Sequence, residues 1–178
     1  MRWYCGALVV ILLAFLLSKL IIEVEEKKET SISISKNQRE FLEPVLNKMY
    51  SFVEHDGNFQ FVMISIGETD MRFFRGHRKE VKLLLTESDG VYTLHRIFPY
   101  DKETIAFRIG EEFEEETTHY QKKVKSVITQ HKNNLTHTQF GDPIVVITRS
   151  FTSDCITVEY VVDKSIRSVL KYKPTVVK

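Results

Sequence analysis

The uncharged run from Trp3 to Leu17 constrains this chain more than any other feature of its sequence. A helix over this run rises about 1.5 Å per residue and falls short of a hydrocarbon core of about 30 Å. The apolar span reaches Ile22 if the ammonium group of Lys19 extends toward the membrane interface. The sequence therefore predicts a membrane anchor over residues 1–22.

The same segment also matches a cleaved signal peptide, which combines a short basic start, an apolar core and a small residue at the cut. Ser18 suits the position before the cut, whereas Leu16 is a poor third residue from it. Because only Arg2 and the amino group precede the run, we expect the domain that follows to be exported. The predicted location is a single-pass membrane protein with an exported domain or, after cleavage, a secreted protein.

The charge balance beyond this segment argues against a dedicated nucleic-acid binder. Of the 25 lysines and arginines, Arg2 and Lys19 lie within residues 1–22, so the remainder nearly balances the 24 acidic residues. The remaining length suits one domain. We therefore divide the chain into the anchor or signal peptide 1–22, a stalk or linker 23–35 and a single domain 36–178.

Most of that domain is predicted to form short β-strands. Residues 81–86 and 91–98 flank Asp89-Gly90, a dipeptide that favours a two-residue hairpin turn. Residues 59–66 are almost continuously apolar, as in a strand buried on both faces. Further strands are predicted at residues 71–74, 104–109, 144–148, 155–162 and 166–177.

Two helices complete the prediction. The first begins at the capping pattern Ser35-x-x-Gln38, continues through apolar residues at helical spacing and ends at Asp56-Gly57. The second covers residues 111–132, where glutamates precede lysines in the order that a helix dipole favours. We therefore expect an α+β fold, in which an N-terminal transmembrane or signal helix precedes one antiparallel β-sheet domain with two helices packed on one face.

Catalytic and metal-binding motifs are not apparent in the sequence. Glu116-x-x-His119 has the spacing of a di-iron ligand pair, but the second copy and the additional carboxylates that such sites need are missing. Neither a nucleophile elbow nor a phosphate-binding glycine loop is present. Cys5 and Cys155 are not expected to pair with each other, since one lies in the apolar run and the other in a predicted strand. We expect a protein without catalytic residues, cofactor or metal.

One basic and aromatic patch is the best candidate for binding a partner. The patch suits contact with an anionic surface or an acidic partner, although a solvated, charged edge or loop is the simpler explanation of its composition. The partner patch comprises Arg72, Phe73, Phe74, Arg75, His77, Arg78, Lys79 and Lys82. Separately, Asn134-Leu135-Thr136 is a formal glycosylation sequon with Asn134 as the acceptor.

These observations predict a membrane-tethered, extracytoplasmic protein-interaction module. Its expected partner is another membrane or envelope protein, or an anionic surface. The alternative is a secreted small-ligand-binding protein or hydrolase with an apolar pocket in a curved sheet, lined by Phe59, Phe61, Tyr92 or Phe98. A cavity with convergent polar groups would favour this alternative.

Overall fold

The computed structural model describes residues 16–28, 39–67, 80–99, 101–117 and 122–175. The chain divides into two compact units, Met1–Arg39 and Glu40–Lys178. Within the first unit the structure describes one helix, α1, over residues 16–28, and the residue Arg39 at its end. Among the described residues, no helix combines the length and the apolar character that crossing a membrane requires. Most of the apolar run from Trp3 to Leu17 lies outside the described residues.

The second unit contains a short helix and ten strands. It opens with a helical turn that ends in the 3₁₀ helix Glu43–Val45, and Asn47 then turns the chain at φ 60°. Helix α2 is Phe59–Ser65. The strands are β1 Met49–His55, β2 Lys82–Ser88, β3 Val91–Ile97, β4 Lys102–Phe107, β5 Glu112–Thr117, β6 Lys122–His131, β7 Asn134–Phe140, β8 Val145–Phe151, β9 Ile156–Val162 and β10 Ile166–Pro174.

All ten strands form one antiparallel sheet in the order β4-β3-β2-β1-β10-β9-β8-β7-β6-β5. The two edge strands, β4 and β5, follow each other directly in the chain. The ring of Phe107 at the end of β4 stacks on that of Phe113 in β5, with 6.5 Å between centroids. The sheet therefore curls until its edges lie side by side, and the result is a nearly closed barrel. The prediction of one antiparallel sheet is confirmed.

Alternation along the strands places one face of the sheet inside the barrel. In β8 and β9 every second residue is buried, from Val145 to Phe151 and from Ile156 to Val162. Helix α2 packs against β9 and β10. Its residue Phe59 meets the ring of Tyr160 edge-on, with 5.7 Å between centroids. The core thus lies between the inner face of the barrel and this helix.

The helix predicted over residues 111–132 is wrong, because this segment forms the antiparallel strands β5 and β6. In the register of the pair, Glu114 lies opposite Lys125 and Glu116 opposite Lys123. Opposite charges at facing positions stabilise a pair of neighbouring strands. Acids near the start of a helix and bases near its end stabilise the helix through its dipole. The acidic-then-basic order therefore suits a hairpin as well as it suits a helix.

Over residues 36–66 the structure also differs from the prediction, because part of the predicted helix is a strand and the predicted strand is a helix. The predicted first helix ends early, since β1 begins at Met49. The predicted strand at residues 59–66 is helix α2 instead. Its buried residues Phe59, Val62 and Met63 have helical spacing, while Phe61 is 55% exposed. The uneven burial of its apolar residues, and not continuous burial, distinguishes this helix from a strand.

Candidate functional site

The barrel encloses a cavity of about 540 Å³. This volume lies within the range of about 300–1,000 Å³ that is usual for small-molecule sites. Apolar side chains from α2 and its C-terminal end and from four strands form much of its wall: Met63, Ile66, Leu83, Leu94, Ile147 and Val158. Polar side chains also reach it: Arg96, Glu103, Glu115, His137, Gln139, Arg149, Tyr160 and Tyr172. The cavity therefore joins an apolar space to several fixed polar groups.

Arg149 places a positive charge in the wall of this cavity. It points inward because it shares the parity of Ile147 and Phe151 in β8, and it is 6% exposed. The described residues supply it with neither a hydrogen bond nor an ion pair. Burial lowers the pKa of its guanidinium, but arginine remains protonated in proteins. Arg149 is thus a buried cation without a hydrogen-bonded or ion-paired partner among the described side chains, although the charge of Glu115 acts on it.

Two tyrosines lie near Arg149 on the inner face. Arg149 is opposite Val158 in β9, so Tyr160 occupies a diagonal position within reach of an aromatic side chain. Tyr172 in β10 is buried against Phe52, with 5.6 Å between ring centroids. Burial raises the pKa of the Tyr172 phenol, although the nearby arginines act in the opposite direction. The Tyr172 hydroxyl therefore stays protonated and is able to donate a hydrogen bond.

The second cavity arginine, Arg96, is neutralised within the wall. It lies opposite Glu103 in the β3–β4 pair and forms an ion pair with it. Its guanidinium also lies over the ring of Phe98, 5.5 Å from the centroid. Burial disfavours the charge, but Glu103 opposes this effect through its charge and its hydrogen bond, and together with Tyr160 and Tyr172 it raises the pKa of Arg96. Arg96 therefore differs from Arg149 in having a carboxylate of its own.

Glu115 forms the centre of a hydrogen-bonded cluster in the cavity wall, close enough to Arg149 for its charge to act on that guanidinium. Its Oε1 accepts hydrogen bonds from Ser126 Oγ at 2.5 Å and Gln139 Nε2 at 2.8 Å. His137 Nε2 lies 2.7 Å from the same oxygen. Burial acts to raise the pKa of Glu115, but these partners lower it to about 2. The carboxylate is therefore ionised at neutral pH although only 11% of its side chain is exposed.

The structure describes only some of the candidate residues named from the sequence, and of these Glu116 lines the cavity. Arg72 to Lys79 of the partner patch lie outside the described residues, and Lys82 is half-buried in β2. Asn134 begins β7, and its glycosylation stays a prediction. Glu116 of the candidate metal pair is exposed on β5, and His119 lies outside the described residues. The structure therefore tests none of these sites.

The pocket residues expected from the sequence lie elsewhere. Phe59 and Tyr92 are buried in the core, and Phe61 faces outward. Phe98 is half-buried and packs against the core. None of the polar cavity residues is named as a site from the sequence. Arg149 is the one that the sequence could have indicated, because it takes the place of a buried apolar residue in the alternation of β8. Glu115 has no comparable pattern around it, because its segment is predicted to be a helix.

A nearly closed antiparallel barrel that surrounds an apolar cavity with a few inward polar groups defines a class of small-molecule binding proteins. No protein-family model matches the chain. A fatty acid-binding protein from Tyrophagus putrescentiae is 35% identical over 82 residues, which cover 46% of this chain and 62% of that protein. The match thus spans less than two thirds of the relative.

Solved structures agree with this class. The fatty acid-binding protein from brain tissue of Drosophila melanogaster is 29% identical, with a TM-score of 0.67. That similarity covers 72% of this chain and 98% of the other. The fold is also that of the Schistosoma mansoni fatty acid-binding protein in complex with arachidonic acid, at 24% identity and a TM-score of 0.66, over 75% of this chain and 97% of the other.

These comparisons correct the predicted function. The prediction of a membrane-tethered module that binds a membrane or envelope protein, or an anionic surface, is wrong, because the similar proteins are named for binding fatty acids. The predicted single-pass or secreted location is contradicted by the same similarity. The small-ligand-binding part of the alternative agrees with the findings. The expectation that the chain is not an enzyme is confirmed, since its relatives are binding proteins.

Proposed function

We propose that this chain binds a long-chain fatty acid, or a hydrophobic carboxylic acid of similar shape, inside the barrel. The observation that carries the proposal is Arg149, a buried guanidinium that faces the cavity without a hydrogen-bonded or ion-paired partner among the described residues. Leaving a charge buried and unpaired costs free energy, and a carboxylate from the ligand removes that cost. The guanidinium also matches a carboxylate with two parallel hydrogen bonds.

The rest of the cavity supports the same ligand. Tyr172 offers a protonated hydroxyl near Arg149, as a second donor to the carboxylate. Ile147 and Val158 offer apolar surface to a hydrocarbon chain, which gains about 0.8 kcal/mol per buried methylene. Arg96 does not compete for the carboxylate, because Glu103 already holds it. Arg149, Tyr172 and the apolar wall thus favour a ligand with one anionic end and a long hydrocarbon chain.

The predicted division of the chain remains part of this proposal. The cavity belongs entirely to the unit Glu40–Lys178. We propose that residues 36–178 form the binding domain and that residues 23–35 link it to the N-terminal segment 1–22.

Calorimetric titration of the full chain with oleate and with oleyl alcohol tests the proposal. The two ligands share a hydrocarbon chain, but only oleate brings a carboxylate. In the variant R149M we expect oleate to bind at least about tenfold more weakly, as for a lost hydrogen bond to a charged group. The affinity for oleyl alcohol should not fall, and R149K should retain part of the affinity for oleate.

Two results would overturn the proposed function. In the first, oleate does not bind to the unmodified chain. In the second, oleate binds to R149M and to the unmodified chain with equal affinity. Near-ultraviolet circular dichroism of each variant shows that the barrel is folded during the titration.

A further inference from the structure

The carboxylate of Glu115 is held asymmetrically. All three of its hydrogen bonds reach Oε1, from Ser126 in β6 and from His137 and Gln139 in β7. The Oε2 atom receives no hydrogen bond from the described residues. Glu115 also lines the cavity. One oxygen of this carboxylate is therefore anchored to the wall, while the other is available at the cavity.

The cluster keeps Glu115 in a single chemical form. His137 is fully buried, and a neutral imidazole donates from Nε2 to the nearby carboxylate oxygen. An ionised carboxylate accepts hydrogen bonds and donates none. The available oxygen of Glu115 is therefore an oriented acceptor that suits a hydroxyl or another donor on a ligand.

An unsubstituted hydrocarbon chain does not satisfy this oxygen. When a methylene group lies against an ionised oxygen, the oxygen loses water and gains no donor in return. A ligand hydroxyl at the same place restores the hydrogen bond. The cavity thus has a cation for a carboxylate at Arg149 and an acceptor for a hydroxyl at Glu115.

We propose that Glu115 forms a second polar subsite, which binds a hydroxyl group on the hydrocarbon chain of the ligand and makes the barrel selective for hydroxylated fatty acids. The inference rests on the proposed function, because Arg149 must hold the carboxylate end. The anchoring donors Ser126, His137 and Gln139 act as positioning residues, since they hold Oε1 and leave Oε2 for the ligand.

A matched series of C18 acids tests this subsite: stearate, monohydroxystearates with the hydroxyl at successive positions along the chain, and the oxostearates with a ketone at the same positions. A ketone accepts hydrogen bonds but donates none, so it opposes the carboxylate where a hydroxyl satisfies it. With the full chain, we expect at least one hydroxystearate to bind about tenfold more tightly than stearate, as for a hydrogen bond to a charged acceptor. The oxostearate of that position should bind more weakly than stearate.

The variant E115Q reverses this order. The amide oxygen must replace Oε1 as the acceptor for Ser126, His137 and Gln139, so the amide NH₂ faces the cavity as a donor. At the chain position that the unmodified protein favours, E115Q should then bind the oxostearate more tightly than the hydroxystearate. E112Q is the matched control, because it removes the same charge from an exposed position of β5; it should keep the preference of the unmodified chain.

Each outcome decides between the proposals. If stearate binds but no hydroxystearate exceeds it, or if E115Q keeps the full preference for the hydroxyl, this inference is overturned and the proposed function stands. If neither stearate nor any substituted acid binds to the unmodified chain, the proposed function fails and the inference fails with it. Loss of the hydroxyl preference in E115Q but not in E112Q supports the subsite.

Discussion

His137 Nε2 in β7 lies 2.7 Å from Glu115 Oε1 in β5, and this contact crosses the inner face of β6 between them. In a flat sheet, side chains two strands apart stand about 9–10 Å from each other. Curvature brings such side chains together on the inside of a barrel. The contact is therefore a consequence of the closed fold.

The first prediction concerns stability in acid. The pKa of Glu115 is lowered from 4.5 to about 2 in the folded protein. A depressed carboxyl pKa contributes stability that is present above the unfolded value and is lost as the pH falls through the folded value. The free energy of unfolding of the unmodified chain should therefore fall between pH 4.5 and about 2, and it should fall less in E115Q.

Urea unfolding across this pH range measures the difference between the two proteins. Other carboxylates whose pKa is lowered, such as Asp56, contribute equally to both and cancel. Equal pH dependence in E115Q and in the unmodified chain would show that the cluster adds nothing to stability.

The second prediction concerns the protonation of His137. Burial lowers its pKa below 6.5, although the hydrogen bond with Glu115 opposes this effect. At pH 6.5 we therefore expect a neutral imidazole with its proton on Nε2. Nitrogen NMR distinguishes the two tautomers from the charged ring. A signal from two protonated ring nitrogens at neutral pH would contradict the proposed form of the cluster.

The third prediction tests the helix α2, which the sequence pattern misassigned. Phe59 is buried against Tyr160, so F59A should lower the free energy of unfolding by about 3–5 kcal/mol. Phe61, on the same helix, is 55% exposed, and F61A should change stability by less than about 0.5 kcal/mol. Denaturant titration compares the two variants. Equal losses would indicate that residues 59–66 are buried on both faces, as in a strand.

The fourth prediction concerns the arginine that is already paired. E103Q removes the charge that neutralises Arg96 and leaves a second cation in the cavity wall. With an effective dielectric constant of about 20, a cation at about 10 Å attracts a carboxylate by about 1–2 kcal/mol. Oleate should therefore bind roughly tenfold more tightly to E103Q, with no gain for oleyl alcohol. A similar gain for both ligands would mean that the charge of Arg96 does not act on the carboxylate.

Local signals in the sequence predict the hairpins but not the closure of the sheet. Asp89-Gly90 correctly predicts the turn between β2 and β3, and both residues adopt the positive φ that this turn needs. Glu111 to Glu116 favoured a helix, because opposite charges suit both a helix dipole and a facing strand. The alternation of Val124, Ser126 and Ile128 in β6 was the stronger signal, since all three have inward parity.

The polar groups of the cavity were harder to predict than the strands. Arg149 has the parity of its buried neighbours in β8, so its inward direction follows from the sequence once the strand is assigned. The contacts of Glu115 do not, because Ser126, His137 and Gln139 meet it only after three strands have curved around the cavity. Sequence patterns define faces of strands, whereas the partners across a barrel depend on its closure.

We expect the carboxylate of the bound ligand to meet Arg149 inside the barrel. Carbon NMR of oleate labelled at its carboxyl carbon and bound to the full chain tests it directly. We predict that the bound carboxylate remains ionised as the pH falls through the usual carboxyl range near about 4.3, and that this protection is lost in R149M. A bound carboxylate that titrates at its usual pKa in both proteins would place it in solvent and contradict the account.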